Sequence, residues 1–285
     1  ITNFSARYES VFRPSQSGDV VFRFQLDGEV ILMVDGKQVA EKVYVKNPTN
    51  LYTLQAKAGK EYHIEILFKQ RNERATLDFD LGKQVEINLN LAVEKVKDAD
   101  IVLFAGGISP SLEGEEMPVE VPGFKGGDRT DIELPAVQRD LLKALKKAGK
   151  KVVFINYSGS AIGLVPESNT CEAILQAWYP GQAGGTAIVD VLFGDYNPAG
   201  RLPVTFYKDA GQLPDFEDYS MKGRTYRYMQ QEPLFPFGHG LSYTDFTYGE
   251  AKLSKNTIAK GENVVLTIPV SNVGQRDGEE VVQVY

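Results

Sequence analysis

The stretch from Asp98 to Gln138 constrains this chain more than any other. Ile101-Val102-Leu103-Phe104-Ala105 is a short apolar run ended by Gly106-Gly107, the pattern of a strand buried on both faces. A helix start follows much later, with Pro135 near the first turn and Gln138, Leu141, Leu142 and Leu145 at helical spacing. The connection is about 27 residues, and one that long without structure of its own is either functional or disordered. It carries Glu113, Glu115 and Glu116 close together, then a Pro- and Gly-rich excursion, then Asp128-Arg129. Acidic side chains at the carboxyl end of a strand in an open α/β sheet stand where such sheets bind ligands. A solvated acidic loop is the plain alternative; the strand-end position and the return through Asp128-Arg129 weigh against it.

Residues 91–215 read as the α/β layer. Leu91–Val96 fits a helix end feeding the first strand, and Lys151–Asn156 is a second buried strand after a helix Pro135–Lys150 and a tight turn at Gly149. A helix is predicted over Ser160–Val165, a third strand over Ala173–Trp178 and a helix over Gly181–Phe193. This βαβαβα order predicts a parallel sheet covered on both faces, with right-handed crossovers. Gly106-Gly107 and Gly181–Gly185 do not fit a dinucleotide or P-loop fingerprint. Ser158-Gly159-Ser160 lacks the spacing of a nucleophile elbow, so Ser158 and Ser160 read as strand-end and helix-cap residues.

Before this layer, residues 1–90 alternate apolar and polar positions. Val20–Leu26 and Val30–Val34 are predicted as separate strands, with turns at Asp27-Gly28 and Asp35-Gly36. Tyr52–Gln55, Tyr62–Phe68 and Thr76–Leu81 extend the set, which predicts a sandwich or barrel. His63 falls inside a strand, as a packed or surface residue rather than a ligand.

After it, residues 216–247 read as a linker. Its aromatic cluster (Tyr226, Tyr228, Phe235, Phe237, Tyr243) suits a sugar face or a domain interface, and Pro233 and Pro236 favour the interface. Val264–Val270, Asn272-Val273-Gly274 and the residues from Gly278 onward read as opening strands of a further β unit, 248–285.

Several motifs in order resemble the second domain of family 3 glycoside hydrolases. They are the strand with Gly-Gly, Glu113-Gly114-Glu115, Asp128-Arg129, Leu134-Pro135-Ala136-Val137-Gln138 and Trp178-Tyr179-Pro180-Gly181-Gln182. Gly194–Phe206, Tyr226-Arg227-Tyr228 and Phe235–Tyr243 continue the resemblance, which covers about two thirds of the chain. It implies a parallel-sheet α/β sandwich followed by the start of a fibronectin-III-like β-sandwich; ahead of it, Ser17-Gly18-Asp19-Val20, Asp27-Gly28 and Leu32-Met33-Val34-Asp35-Gly36-Lys37 resemble a partial all-β PA14 domain, with an inert β spacer the alternative. In such β-glucosidases and β-xylosidases a (β/α)₈ barrel of the same chain carries an aspartate nucleophile, and in some of them a PA14-like insert leans over the active site. The second glutamate of the Glu-x-Glu pair performs proton transfer, which implies Glu115 here, with Glu113 the runner-up. Glu116 replaces an expected glycine, and Met117–Gly127 is an insertion before Asp128-Arg129. Asp128 and Arg129 are expected to pair with each other and pin the loop.

The resemblance implies exo-acting, retaining hydrolysis of β-linked glucosides or xylosides, a substrate partner of that class, no cofactor, and a periplasmic or extracellular setting. The rival reading is a non-catalytic carbohydrate-binding module. Ile1 and Tyr285 both fall mid-pattern, so an excerpt of a longer polypeptide, inactive without the barrel, is expected. A net charge of -7 speaks against a basic nucleic-acid surface. No apolar run approaches a membrane span. Cys171 alone, with His63 and His239, speaks against a disulfide and a cysteine or histidine metal centre.

Overall fold

The computed structural model describes residues 3–70, 75–83, 85, 87–114, 116–117 and 119–285. Its contacts divide the chain into two compact units, Ile1–Ile87 and Asn88–Tyr285.

The first unit is a sheet of β1 (Ser5–Phe12), β2 (Gly18–Val34), β3 (Lys37–Ala56), β4 (Tyr62–Lys69) and β5 (Thr76–Gly82). It is ordered β1-β4-β2-β3, with β5 pairing the first half of β2 and β4 the second. Asp35-Gly36 is the two-residue turn its sequence predicts: Val34 pairs with Lys37, and both turn residues have positive φ, 51° and 74°. Asp27-Gly28 is not a turn. The chain runs straight through it, so the two predicted strands are one strand of 17 residues. Val20, Phe22, Phe24, Leu26, Val30, Leu32 and Val34 all face one core, an alternation that Asp27-Gly28 does not interrupt. Gly28 is needed for packing: at φ 140° a Cβ would stand 2.7 Å from the Phe68 ring. Register shifts on either side of it let the long β2–β3 ribbon bend.

The second unit opens with α1 (Leu89–Lys95), capped by Asn88, whose side chain accepts from the Leu91 N–H at 3.1 Å. Then come β6 (Ile101–Gly107), β7 (Glu120–Val121), β8 (Phe124–Lys125), β9 (Asp128–Arg129), α2 (Ala136–Lys147) and β10 (Lys151–Tyr157). They are followed by α3 (Val165–Thr170), β11 (Ala173–Gln176), α4 (Gly184–Phe193) and α5 (Thr225–Tyr228). The strands β6, β10 and β11 form a parallel sheet ordered β11-β10-β6.

The helix predicted over Ser160–Val165 begins only at Val165, so Ser160 caps nothing. Pro166 at the first turn suits that later start, while the segment before it turns at Gly163, whose N–H donates to the Ile132 carbonyl at 2.7 Å. Of the helices expected on both faces of the sheet, α2 and α3 share one. Strands laid down successively in one direction with right-handed crossovers place their helices on one face. Accordingly α2 packs on α3 and β10, Leu142 and Leu145 share a core with Val152 and Phe154, and Ile101 and Leu103 point the other way, exposed.

The long connection after β6 is not structureless either. Its Met117–Gly127 insertion contributes to a small antiparallel sheet, β7-β8-β9.

The tail holds β12 (Phe246–Tyr248), β13 (Lys252–Leu253), β14 (Leu266–Thr267) and β15 (Val270–Asn272), in two antiparallel pairs. The single strand predicted over Val264–Val270 is interrupted at Ile268-Pro269, because Pro269 has no N–H for a ladder.

Candidate active site

The carboxyl ends of β6, β10 and β11 lead into three loops that meet. The first carries Glu113, the second Ser158–Ala161, the third Trp178-Tyr179. Arg129, on β9, joins them. Its Nη1 donates to Ser160 Oγ at 2.7 Å and to the Ala161 carbonyl at 3.0 Å, and its Nε donates to the Asp131 carbonyl at 3.3 Å. Ser160 Oγ in turn donates to Glu113 Oε1 at 3.3 Å, and that carboxylate oxygen stands 3.9 Å from Arg129 Nη1. The expected Asp128–Arg129 pair is not the fastening: Asp128 pairs through its backbone with Lys125, and the guanidinium turns toward Ser160 and Glu113.

Arg129 and Glu113 keep only 11% and 27% of their side-chain surface, so solvent screens their charges weakly. Burial draws the guanidinium below its usual pKa, while Glu113, then Asp131, Tyr179 and Glu133, work in the opposite direction. Nη2 is buried without a hydrogen-bond partner among the described residues. The Tyr179 phenol donates to the Ile108 carbonyl at 2.8 Å, tying the third loop to the first. Burial, then the charge of Glu113, raise its pKa.

Of the acidic residues singled out in the sequence, Glu113 lies inside this cluster and Glu116 is exposed with φ 51°. Glu115 lies outside the described residues. The backbone is strapped on both sides of it. The Gly114 N–H donates to the Gly127 carbonyl at 3.1 Å and the Met117 N–H to the Gly126 carbonyl at 3.0 Å. Gly127 has to be glycine, since at φ 90° a Cβ there would lie 1.8 Å from the Gly114 oxygen. Sequence reasoning took Ser160 for a helix cap and gave Tyr179 no role of its own.

Beside Ser160 lies an open cleft of about 840 Å³ whose walls include Trp178, Thr205, Tyr226 and Phe237. Tyr226 and Phe237 stack at 4.7 Å between ring centres. Cys171 takes no part in the site, and burial pushes its thiol up to about 11, the opposite of an activated nucleophile. Among the described residues no three His, Cys, Asp or Glu side chains converge as metal ligands.

Other motifs serve packing. Asn197 accepts from Ser242 Oγ at 2.9 Å and from the Tyr243 N–H at 2.7 Å, and donates to the Asp277 carbonyl at 3.0 Å. A Cβ at Gly240 would lie 2.4 Å from the Gly200 oxygen. The Asn-Pro-Ala-Gly-Arg and Gly-Leu-Ser-Tyr segments thus hold each other and the tail.

The sequence model of the glycosyl hydrolase family 3 C-terminal domain matches residues 20–243. The chain belongs to that family. It is 52% identical over its whole length to a xylan 1,4-β-xylosidase of Xylanibacter ruminicola, of which it covers 33%. Over 68% of its length it is 39% identical to a periplasmic β-glucosidase of Salmonella typhimurium, covering 26% of that protein. Among solved structures, a β-glucosidase from Kluyveromyces marxianus shares the fold across 96% of this chain and 34% of its own, with TM-score 0.70 at 23% identity. A β-glucosidase from Erythrobacter marinus matches 67% of this chain and 25% of its own at 36% identity, with TM-score 0.56. This family 3 chain therefore spans about a third or less of the length of the curated relatives it matches.

Proposed function

We propose that this chain is the part of a retaining, exo-acting β-glycosidase that supplies the general acid/base, with β-linked glucosides or xylosides as substrates. Relatives named as β-xylosidases and β-glucosidases support the substrate class. The acid loop at the carboxyl ends of a parallel sheet supports the location. In this reading a (β/α)₈ barrel elsewhere in the full protein brings the aspartate nucleophile, about 5–5.5 Å from the acid/base as retention requires. The first unit is a PA14-like module, and residues 248–285 begin a fibronectin-III-like domain.

The observation that carries the assignment within the loop is the engagement of Glu113. Its Oε1 accepts from Ser160 and faces Arg129, so it acts as an anchor. A proton donor needs a free oxygen within hydrogen-bond reach of the leaving group. The motif comparison gives that role to Glu115, the second glutamate of the Glu-x-Glu pair, with Glu113, engaged through Oε1 alone, as the runner-up.

The test uses the full-length enzyme and its Glu115→Ala variant. Aryl glycosides with poor leaving groups are expected to slow by about 10²–10⁴-fold in the first step, those with good leaving groups far less. Azide should accelerate turnover of the good-leaving-group substrates by attacking the intermediate without base help. If Glu113→Ala shows this pattern and Glu115→Ala does not, the acid/base is Glu113.

A further inference from the structure

We propose that Arg129, acting through Ser160 and Glu113, is the positioning residue of the acid loop, so that its importance grows with the protonation a leaving group needs. The proposal rests on the reading of Glu115 as acid/base. Three stretches of chain distant in sequence converge on one guanidinium. Ser160 and Ala161 come from the end of β10, Glu113 from the end of β6, and Arg129 itself from β9.

Glu113, the anchored residue, stands two positions before Glu115 in the sequence. On the far side, Gly114 and Met117 are tied to Gly126 and Gly127, which lead directly into Asp128-Arg129. The insertion is therefore the strap that delivers Arg129 to the loop it fixes. The charged and titratable groups that face the guanidinium are Glu113 from the first loop, Asp131 and Glu133 beyond β9, and Tyr179 after β11. Of the carboxylates among these, Glu113 is the one nearest in sequence to the proposed acid/base.

Ångström-scale misplacement of a catalytic group costs on the order of 10²-fold. A misplaced general acid harms only steps that need its proton, whereas a weakened scaffold harms every substrate alike. The test measures kcat/KM of the full-length enzyme and its Arg129→Lys and Ser160→Ala variants on dinitrophenyl and phenyl glycosides and on a disaccharide. For Arg129→Lys, the phenyl glycoside and the disaccharide are expected to fall about 10–100-fold and the dinitrophenyl glycoside less than about 3-fold. Ser160→Ala should follow in the same direction to a smaller extent, and it decides the matter if Arg129→Lys does not fold. An equal loss on all substrates, or no loss on any, overturns the proposal. A Glu115→Ala variant measured alongside separates the two ideas. If it lacks leaving-group dependence, the acid/base reading fails; if it alone shows that dependence, only the role of Arg129 fails.

Discussion

The side-chain amide of Gln138 closes a pair of hydrogen bonds on the backbone of Gly107, accepting from its N–H at 2.8 Å and donating to its carbonyl at 2.7 Å. Gln138 lies in the first turn of α2, and Gly107 is the last residue of β6. The clamp satisfies both backbone polar groups of the strand's last residue where the sheet ends. It also fixes the direction in which the acid loop departs, with the Ile108 N–H donating to the Tyr157 carbonyl at 2.8 Å. The Leu-Pro-x-x-Gln motif thus joins helix and strand across the whole loop.

Gly107→Ala is expected to be severely destabilising. At φ 129° its Cβ would lie 1.9 Å from the Tyr157 oxygen, so β6 and β10 would have to separate. We expect a loss of at least about 3 kcal/mol from backbone strain and overpacking together. Urea unfolding of the variant checks this, and a loss under about 1 kcal/mol would contradict the geometry.

Among the described residues of the second unit, the most buried ion pair joins Arg139 to Glu167, which is 1% exposed. Arg139 Nε and Nη2 donate to the two oxygens of Glu167 at 2.8 and 3.0 Å, Nη1 donates to Glu133 at 2.6 Å, and Nη2 also reaches the Gly163 carbonyl at 3.0 Å. Burial lowers the pKa of the guanidinium, and the hydrogen bonds to Glu167 and Glu133 more than offset it. Arg139→Ala strands a buried carboxylate, and should cost about 3–5 kcal/mol. Chemical denaturation reads the loss, and a value below about 1 kcal/mol would mean that the pair is screened.

His239 stacks on Phe235, with ring centres 4.8 Å apart and planes inclined by 16°. Burial, then the charge of Arg201, lower its pKa below the ordinary value. In the unfolded chain the imidazole takes up its proton near pH 6.5, and in the folded chain only at lower pH. Between those values unfolding binds a proton, so the contribution of His239 to stability is present above about pH 6.5 and is lost as pH falls through the folded value. Denaturation at pH 7.5 and 5.5 should show the chain losing more stability on acidification than His239→Gln does. An imidazole NMR titration midpoint at or above 6.5 would contradict this.

Much of the fold is legible in local sequence. Alternation in residues 18–34, the Asp35-Gly36 turn, the apolar runs of β6 and β10 and the spacing of Leu141, Leu142 and Leu145 each depend on neighbours a few residues away. The alternation even outweighs the turn chemistry of Asp27-Gly28, whose glycine answers to Phe68, forty residues on. Motif order was enough to point to the family.

The site was less legible, because its geometry is made by residues far apart in the chain. The sequence singles out Glu113, Arg129 and the Met117–Gly127 insertion, but not that Arg129 meets Ser160 31 residues later, nor that Ser160 meets Glu113 47 residues earlier. Short polar side chains such as Ser160 satisfy a helix cap and a charged network equally well by local preference. Parallel strand pairing brings the carboxyl ends of β6, β10 and β11 together and decides between them. Periodicity and turn chemistry therefore determined the elements and their order, while the partners of each polar side chain were decided by long-range packing, which buries a guanidinium only where its hydrogen bonds and a counter-charge can be assembled.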